Sequence, residues 1–152
     1  MNKRFETFTV LIAKIHRNIK RIKNQEMAEY GLRSTHVSCL YYLYTTQCVT
    51  ATDLCEKCEE DKATISRALT HLEREDYITC PDPGTKRYRS PLLLTEKGRA
   101  AGQMIAGKIN HVLEEISAEM TEEERLTFYR CLSRISDHLG DIAAASERGD
   151  AL

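Results

Sequence analysis

The alternation of apolar and polar positions divides this chain into six amphipathic segments and one short extended stretch. Phe5, Phe8, Ile12, Ile15, Ile19 and Ile22 recur at alternating spacings of three and four, the seam of a helix that lies along another helix. No Gly or Pro precedes Gly31, so one helix is predicted over the first 27 residues. Ser34 is placed to cap a second helix reaching about Tyr44. Thr50 to Cys58 reads as a short third helix started by Thr50 or Thr52, and Glu59-Glu60-Asp61 is a polar break. Lys62 to Glu75 is a fourth helix, with Ile65, Ala68, Leu69 and Leu72 on one face.

From Tyr77 the period becomes that of strands. Tyr77 to Cys80 leads into the turn cluster Pro81-Asp82-Pro83-Gly84, and Lys86-Arg87-Tyr88-Arg89 runs on to Leu92-Leu93-Leu94. This is a β-hairpin with a basic tip, its return strand at an edge because Pro91 cannot donate to a ladder. Thr95 caps a fifth helix to about Ala118, with Ile105, Ile109, Val112 and Ile116 in register. Thr121 and Glu124 form a capping box for a sixth. Its stripe is Leu126, Tyr129, Leu132, Ile135, Leu139 and Ile142.

A chain of 152 residues with 41% apolar and 30% charged positions is expected to be one globular domain. No apolar run approaches the ~20 residues of a membrane span, and no small-residue cleavage site follows the N-terminal segment. The expected compartment is the cytoplasm, without membrane contact. Six cysteines then imply free thiols rather than a disulfide framework. Enzymatic activity is not expected, since there is no Gly-rich phosphate loop, nucleophile elbow or paired catalytic motif. No cofactor is implied.

Helix, polar break, helix and basic hairpin follow one another in the order of a winged helix-turn-helix. The polar side of the fourth helix presents Ala63, Arg67, Thr70 and Arg74, with Ser66 and His71 at its margins and Lys62 and Thr64 in its first turn. Small and hydroxyl residues let a helix sit deep in a major groove, and Arg67 can reach base edges or phosphate. First-turn N–H groups and the helix dipole also favour a phosphate. An ordinary solvated helix face would look the same in isolation.

Four strings break that tie. Ala51-Thr52-Asp53-Leu54, Asp61 to Arg67, Leu72 to Ile78 and Leu94-Thr95-Glu96-Lys97-Gly98-Arg99 together resemble the MarR family of bacterial transcriptional regulators. The resemblance implies a mainly α fold with a small β-hairpin wing: a winged helix-turn-helix lobe over 34–94, with dimerisation helices over 1–30 and 95–145. It implies a homodimer on a pseudo-palindromic operator in double-stranded DNA, acting as a repressor or an activator. The recognition set is then Lys62, Ala63, Thr64, Ser66, Arg67, Thr70, His71 and Arg74. Lys86, Arg87 and Arg89 would enter the adjacent minor groove. Phe5, Phe8, Ile12, Ile15, Ile19, Leu132, Ile135 and Leu139 would form the dimer seam. Two departures from the pattern are Glu59 in the turn and Asp76 after the recognition helix, where relatives usually have Gly. The wing also lacks the family's usual Asp ahead of its Arg.

Cys55-Glu56-Lys57-Cys58 is a single C-x-x-C, short of the four ligands of a structural zinc site, and reads first as buried small residues. No metal site is expected. Some relatives sense metals or thiol oxidation, which stays an alternative, as does a winged-helix protein-interaction module without DNA binding. Relatives also bind small effectors in a crevice beside the lobe. Here Arg33, His36, Cys39, Tyr41, Tyr42 and His111 are the candidate lining for a small aromatic or anionic effector.

The net charge of −1 argues at first against nucleic acid. It is a sum over opposed regions: +5 over 1–27, −4 over 53–61, +3 over 62–99 and −6 over 114–152. The acidic share lies mostly away from the recognition helix and wing, so the total does not exclude DNA.

Overall fold

A computed structural model describes residues 3–47, 49–80 and 89–149. It contains helices α1 (Arg4–Glu26), α2 (Ser34–Thr45), α3 (Ala51–Cys58) and α4 (Lys62–Arg74). Strands β1 (Ile78–Thr79) and β2 (Leu93–Leu94) follow, then α5 (Glu96–Ser117) and α6 (Glu122–Glu147). The six helices and the hairpin fall where the periodicity places them, and the fold is a mainly α winged helix-turn-helix. The chain divides into two compact units, 1–108 and 109–152.

In the first unit, α1 ends at buried Met27, and a short 3-10 turn closes through Gly31 at φ 68°. The start of α2 differs from expectation. Ser34 is the first helical residue, not the cap; its N–H donates to Asn24 Oδ1 at 2.7 Å. Arg33 is the cap residue, and its N–H donates to His36 Nδ1 at 3.0 Å. An imidazole therefore does the work that a Glu or Gln does in an ordinary capping box.

Helix α3 does carry a full capping box. Asp53 N–H donates to Thr50 Oγ1 at 3.2 Å, and Thr50 N–H donates to Asp53 Oδ2 at 2.7 Å. It ends at Glu59, whose φ of 52° is left-handed, with Glu60 N–H donating back to Cys55 O at 3.1 Å. Helix α4 ends in the same way at Asp76, φ 60°, where Tyr77 N–H reaches Leu72 O at 2.8 Å. Both residues departing from the family pattern thus occupy the backbone state that a glycine enters without strain.

The hairpin is antiparallel with Ile78 opposite Leu94 and Thr79 opposite Leu93. Its ladder is shorter than the expected Tyr77–Cys80 and Leu92–Leu94. Leu92 instead sends its N–H to Val49 O at 2.9 Å, tying the return strand to the loop before α3. Met27, Leu32, Leu40, Leu54, Ile65, Leu69, Leu72, Ile78 and Ile105 are fully buried and form one core. Thr95 joins the hairpin to α5: its hydroxyl donates to Asp76 O at 2.7 Å and accepts Gly98 N–H at 2.9 Å.

In the second unit, Thr121 and Glu124 make the expected capping box for α6. None of the 26 residues of α6 is buried. Among the described residues no helix is long and apolar enough to cross a membrane.

Candidate nucleic-acid interface

Helix α4 is held from one side and open on the other. Ile65, Ala68, Leu69 and Leu72 are buried against the core, while Lys62, Ala63, Arg67, Thr70 and Arg74 are exposed and Thr64 and Ser66 half-exposed. Seven of the eight expected recognition residues thus lie on or beside the open face.

Hydrogen bonds order its first two turns. Asp61 Oδ1 accepts Thr64 N–H at 2.7 Å, and Thr64 Oγ1 donates to Asp61 Oδ2 at 3.2 Å. Arg67 Nη2 then donates to Thr64 Oγ1 at 3.0 Å. These bonds, Thr64 N–H first, hold the Asp61 carboxyl below the usual carboxylate range, with Ala63 N–H contributing. The first-turn amides are therefore already claimed by the chain's own carboxylate. An incoming phosphate would compete there with a fixed negative charge. Farther along, Thr70 Oγ1 donates to Ser66 O at 2.9 Å. Arg74 Nε donates to Glu75 Oε1 at 3.1 Å.

His71 is the exception. It is half-buried and turned toward α2, its ring stacked on His36 with centroids 4.3 Å apart and planes 10° apart. Its Nδ1 contacts Arg74 Nη2 at 3.1 Å, and its Nε2 is buried without a hydrogen-bond partner among the described residues. It supports the recognition helix instead of projecting from it. The cost of charging this cluster falls on His36. Burial, then the neighbouring His71 and Arg33, lower its pKa to about 4.

Of the basic wing, Lys86 and Arg87 lie outside the described residues, and Arg89 is exposed. The candidate crevice is brought together only in part. Tyr41 and Tyr42 meet edge to face at 5.3 Å, and Lys57 Nζ lies 5.7 Å from the Tyr42 ring. Cys39 is a correction. It is fully buried, pointing into the lobe and unable to line an open crevice. His111 belongs to the second unit, where it faces Glu115 at 3.5 Å. Cys55 and Cys58 are half-exposed, not wholly buried as expected. Cys48 lies outside the described residues.

The expected dimer seam is uncovered. Phe8, Ile12, Ile15 and Ile19 of α1 and Leu132, Ile135 and Leu139 of α6 are all exposed, at 37% to 51%. The Phe5 side chain lies outside the described residues.

Comparison with known proteins is decisive at this point. The MarR family model matches residues 32–83, which hold the whole of α2, α3 and α4. A MarR family regulator from Neisseria meningitidis superposes with a TM-score of 0.80 at 18% identity, over 96% of this chain and 99% of that one. Residues 32–83 are thus MarR-like, and the chain as a whole shares the fold of that regulator. A MarR family transcriptional regulator from Listeria monocytogenes, complexed with a 26mer DNA, superposes at 0.79. It is 22% identical, and the match covers 93% of this chain and 94% of that one. An HTH-type transcriptional regulator of Bacillus cereus, described as uncharacterized, is 26% identical over 119 residues, 78% of this chain and 79% of its own. The proteins that this chain resembles are thus named as regulators of transcription.

The sequence reading missed the contacts that decide how α4 is held. Asp61, read only as part of a polar break, is the cap of α4. The His36–His71 stack was not legible, because those residues lie on different helices.

Proposed function

We propose that this chain is a MarR family member, a homodimeric, sequence-specific regulator whose α4 enters the major groove of an operator half-site. The observation that carries the reading is the open face of α4, with Lys62, Ala63, Thr64, Ser66, Arg67 and Thr70 presented from a helix whose opposite face is locked into the core. Arg67 is the main base-reading candidate. Its guanidinium is pre-oriented by Thr64, and an Arg so placed can address guanine bidentately. Thr70 and Arg74 flank it, Arg74 reaching backbone phosphate on release from Glu75. The wing residues Lys86, Arg87 and Arg89 extend the contact into the flanking minor groove.

The apolar stripes of α1 and α6 support a dimer. A helix of 26 residues with Leu132, Ile135 and Leu139 on one face and nothing buried needs a partner surface. A second copy offers the same stripes, and two-fold pairing places two α4 helices on one palindrome. Leu139→Asp is expected to convert the dimer to monomer in sedimentation and to abolish operator binding with it. A monomeric wild-type protein would refute the arrangement. The crevice beside the lobe, with Arg33, His36, Tyr41 and Tyr42, is the proposed site of a small aromatic or anionic effector.

The operator can be selected from random duplex DNA with the wild-type protein. Arg67→Ala should then weaken the selected site by about 1–3 kcal/mol while leaving weak non-specific binding nearly unchanged. Equal affinity and equal base preference in the variant would remove Arg67 from the reading. Affinity that is flat between low and high salt would favour a protein-interaction module instead.

A further inference from the structure

The left-handed turn that ends α4 is held from outside the helix. The last carbonyls of a helix have no partner within it and form the negative end of its dipole. Just past α4, three successive carbonyls are all taken by residues 95–97. Lys97 Nζ donates to Glu75 O at 2.6 Å, Thr95 Oγ1 to Asp76 O at 2.7 Å, and Thr95 N–H to Tyr77 O at 3.1 Å. Lys97 also lies over the Tyr77 ring, its Nζ 4.2 Å from the centroid. Tyr77 is buried, and its N–H is fixed to Leu72 O at 2.8 Å.

The rest of α4 is secured by other means. Asp61 caps its first turn, and Ile65, Leu69 and Leu72 are buried in the core. Between Leu72 and Tyr77, residues 73–76 are all exposed, so this stretch is held by hydrogen bonds rather than by burial. It carries Arg74, whose Nε is paired with Glu75 Oε1 at 3.1 Å. The Glu75 carbonyl that Lys97 holds is therefore one residue from a member of the open face. An ammonium on a carbonyl is a charge-assisted bond, stronger than a neutral one, and the aromatic face beneath it adds attraction.

We propose that Lys97 is a positioning residue for DNA reading, fixing the C-terminal end of α4, and with it Arg74, against the operator half-site. This rests on α4 being the recognition helix. Lys97 acts through the turn and not on the DNA, because its ammonium is committed to Glu75 O and Tyr77. It is exposed, whereas Thr95 is half-buried and Gly98 buried, so Lys97 can be changed without opening the core.

The test uses the full-length protein and a duplex site selected with wild type. Lys97→Met keeps the alkyl stem over Tyr77 and removes the donor and the charge; Lys97→Arg keeps both. Lys97→Met is expected to weaken the selected site about tenfold, the scale of one mismatched base pair. Its non-specific binding and its slope of log affinity against log salt should match wild type. Amide hydrogen exchange should quicken at Glu75, Asp76 and Tyr77 and stay unchanged at Ile65 and Leu69. Lys97→Arg should restore both readouts. A direct phosphate contact would instead lower the salt slope by about one, and that result overturns the proposal. So does selected and non-specific binding falling together, which marks a general loss of fold, or exchange at residues 75–77 that does not change. A wild type that selects a site, with Lys97→Met its equal there, overturns this inference alone. A wild type that selects no site overturns the recognition-helix reading and this inference together.

Discussion

Replacing Gly98 by Ala tests how α5 is seated on the hairpin. Gly98 lies in the first turn of α5 and is buried, and a Cβ built there would meet Tyr77 O at 1.8 Å and Tyr77 C at 2.9 Å. Both atoms are backbone, so no side-chain rotation relieves the clash. Restoring even the 3.0 Å limit of real contacts requires α5 and β1 to part by about 1.2 Å. That movement strains Thr95 N–H to Tyr77 O at 3.1 Å and Lys97 Nζ to Glu75 O at 2.6 Å. Overpacking of this kind costs about 1–3 kcal/mol, and a weakened hydrogen bond adds about 1. The better helix propensity of Ala returns about 1. The net expectation is a loss of about 1–3 kcal/mol, or about 3–10 °C in Tm for a chain of this size. Gly107, on the same helix, is the internal control. It is exposed and a Cβ there meets nothing within 4 Å, so Gly107→Ala should stabilise by roughly 0.5–1 kcal/mol. Thermal and urea melts at one protein concentration would read both variants, since the proposed dimerisation would make Tm concentration-dependent. A Gly98→Ala protein as stable as wild type, or two variants moving together, would refute the reasoning.

Glu59→Gly should raise stability by roughly 1 kcal/mol in the same melts, because Glu59 holds a left-handed φ of 52°. Asp76→Gly should gain less, since Asp tolerates that region better than Glu. Acidification should destabilise the lobe between about pH 6.5 and pH 4. His36 titrates at about 4 in the fold, against an ordinary value of 6.5, so the unfolded chain takes up the proton first. The stability is complete above pH 6.5 and lost as pH falls toward 4. His36→Asn keeps an acceptor for Arg33 N–H and should flatten the Tm–pH profile; an unchanged profile would show that His36 is not responsible.

Much of the architecture was legible along the chain. Each helix carries an apolar stripe that recurs at its own period, so α1 to α6 were readable from local spacing, and Thr50 and Thr121 marked the starts of α3 and α6. The two left-handed turns were readable as departures at Glu59 and Asp76. The open face of α4 followed from its buried one. His71 escaped this logic because it sits at the margin of the stripe, and a marginal residue is buried or exposed according to what the next helix brings. Here α2 brings His36. The close approach of Gly98 to Tyr77 has the same origin. Periodicity assigns each residue to a face of its own element, whereas these contacts depend on the offset and rotation of one element against another. That geometry is set by the whole core at once. The sequence by itself therefore determined the elements and the open face of α4. Only the tertiary structure decided which side chains meet across them.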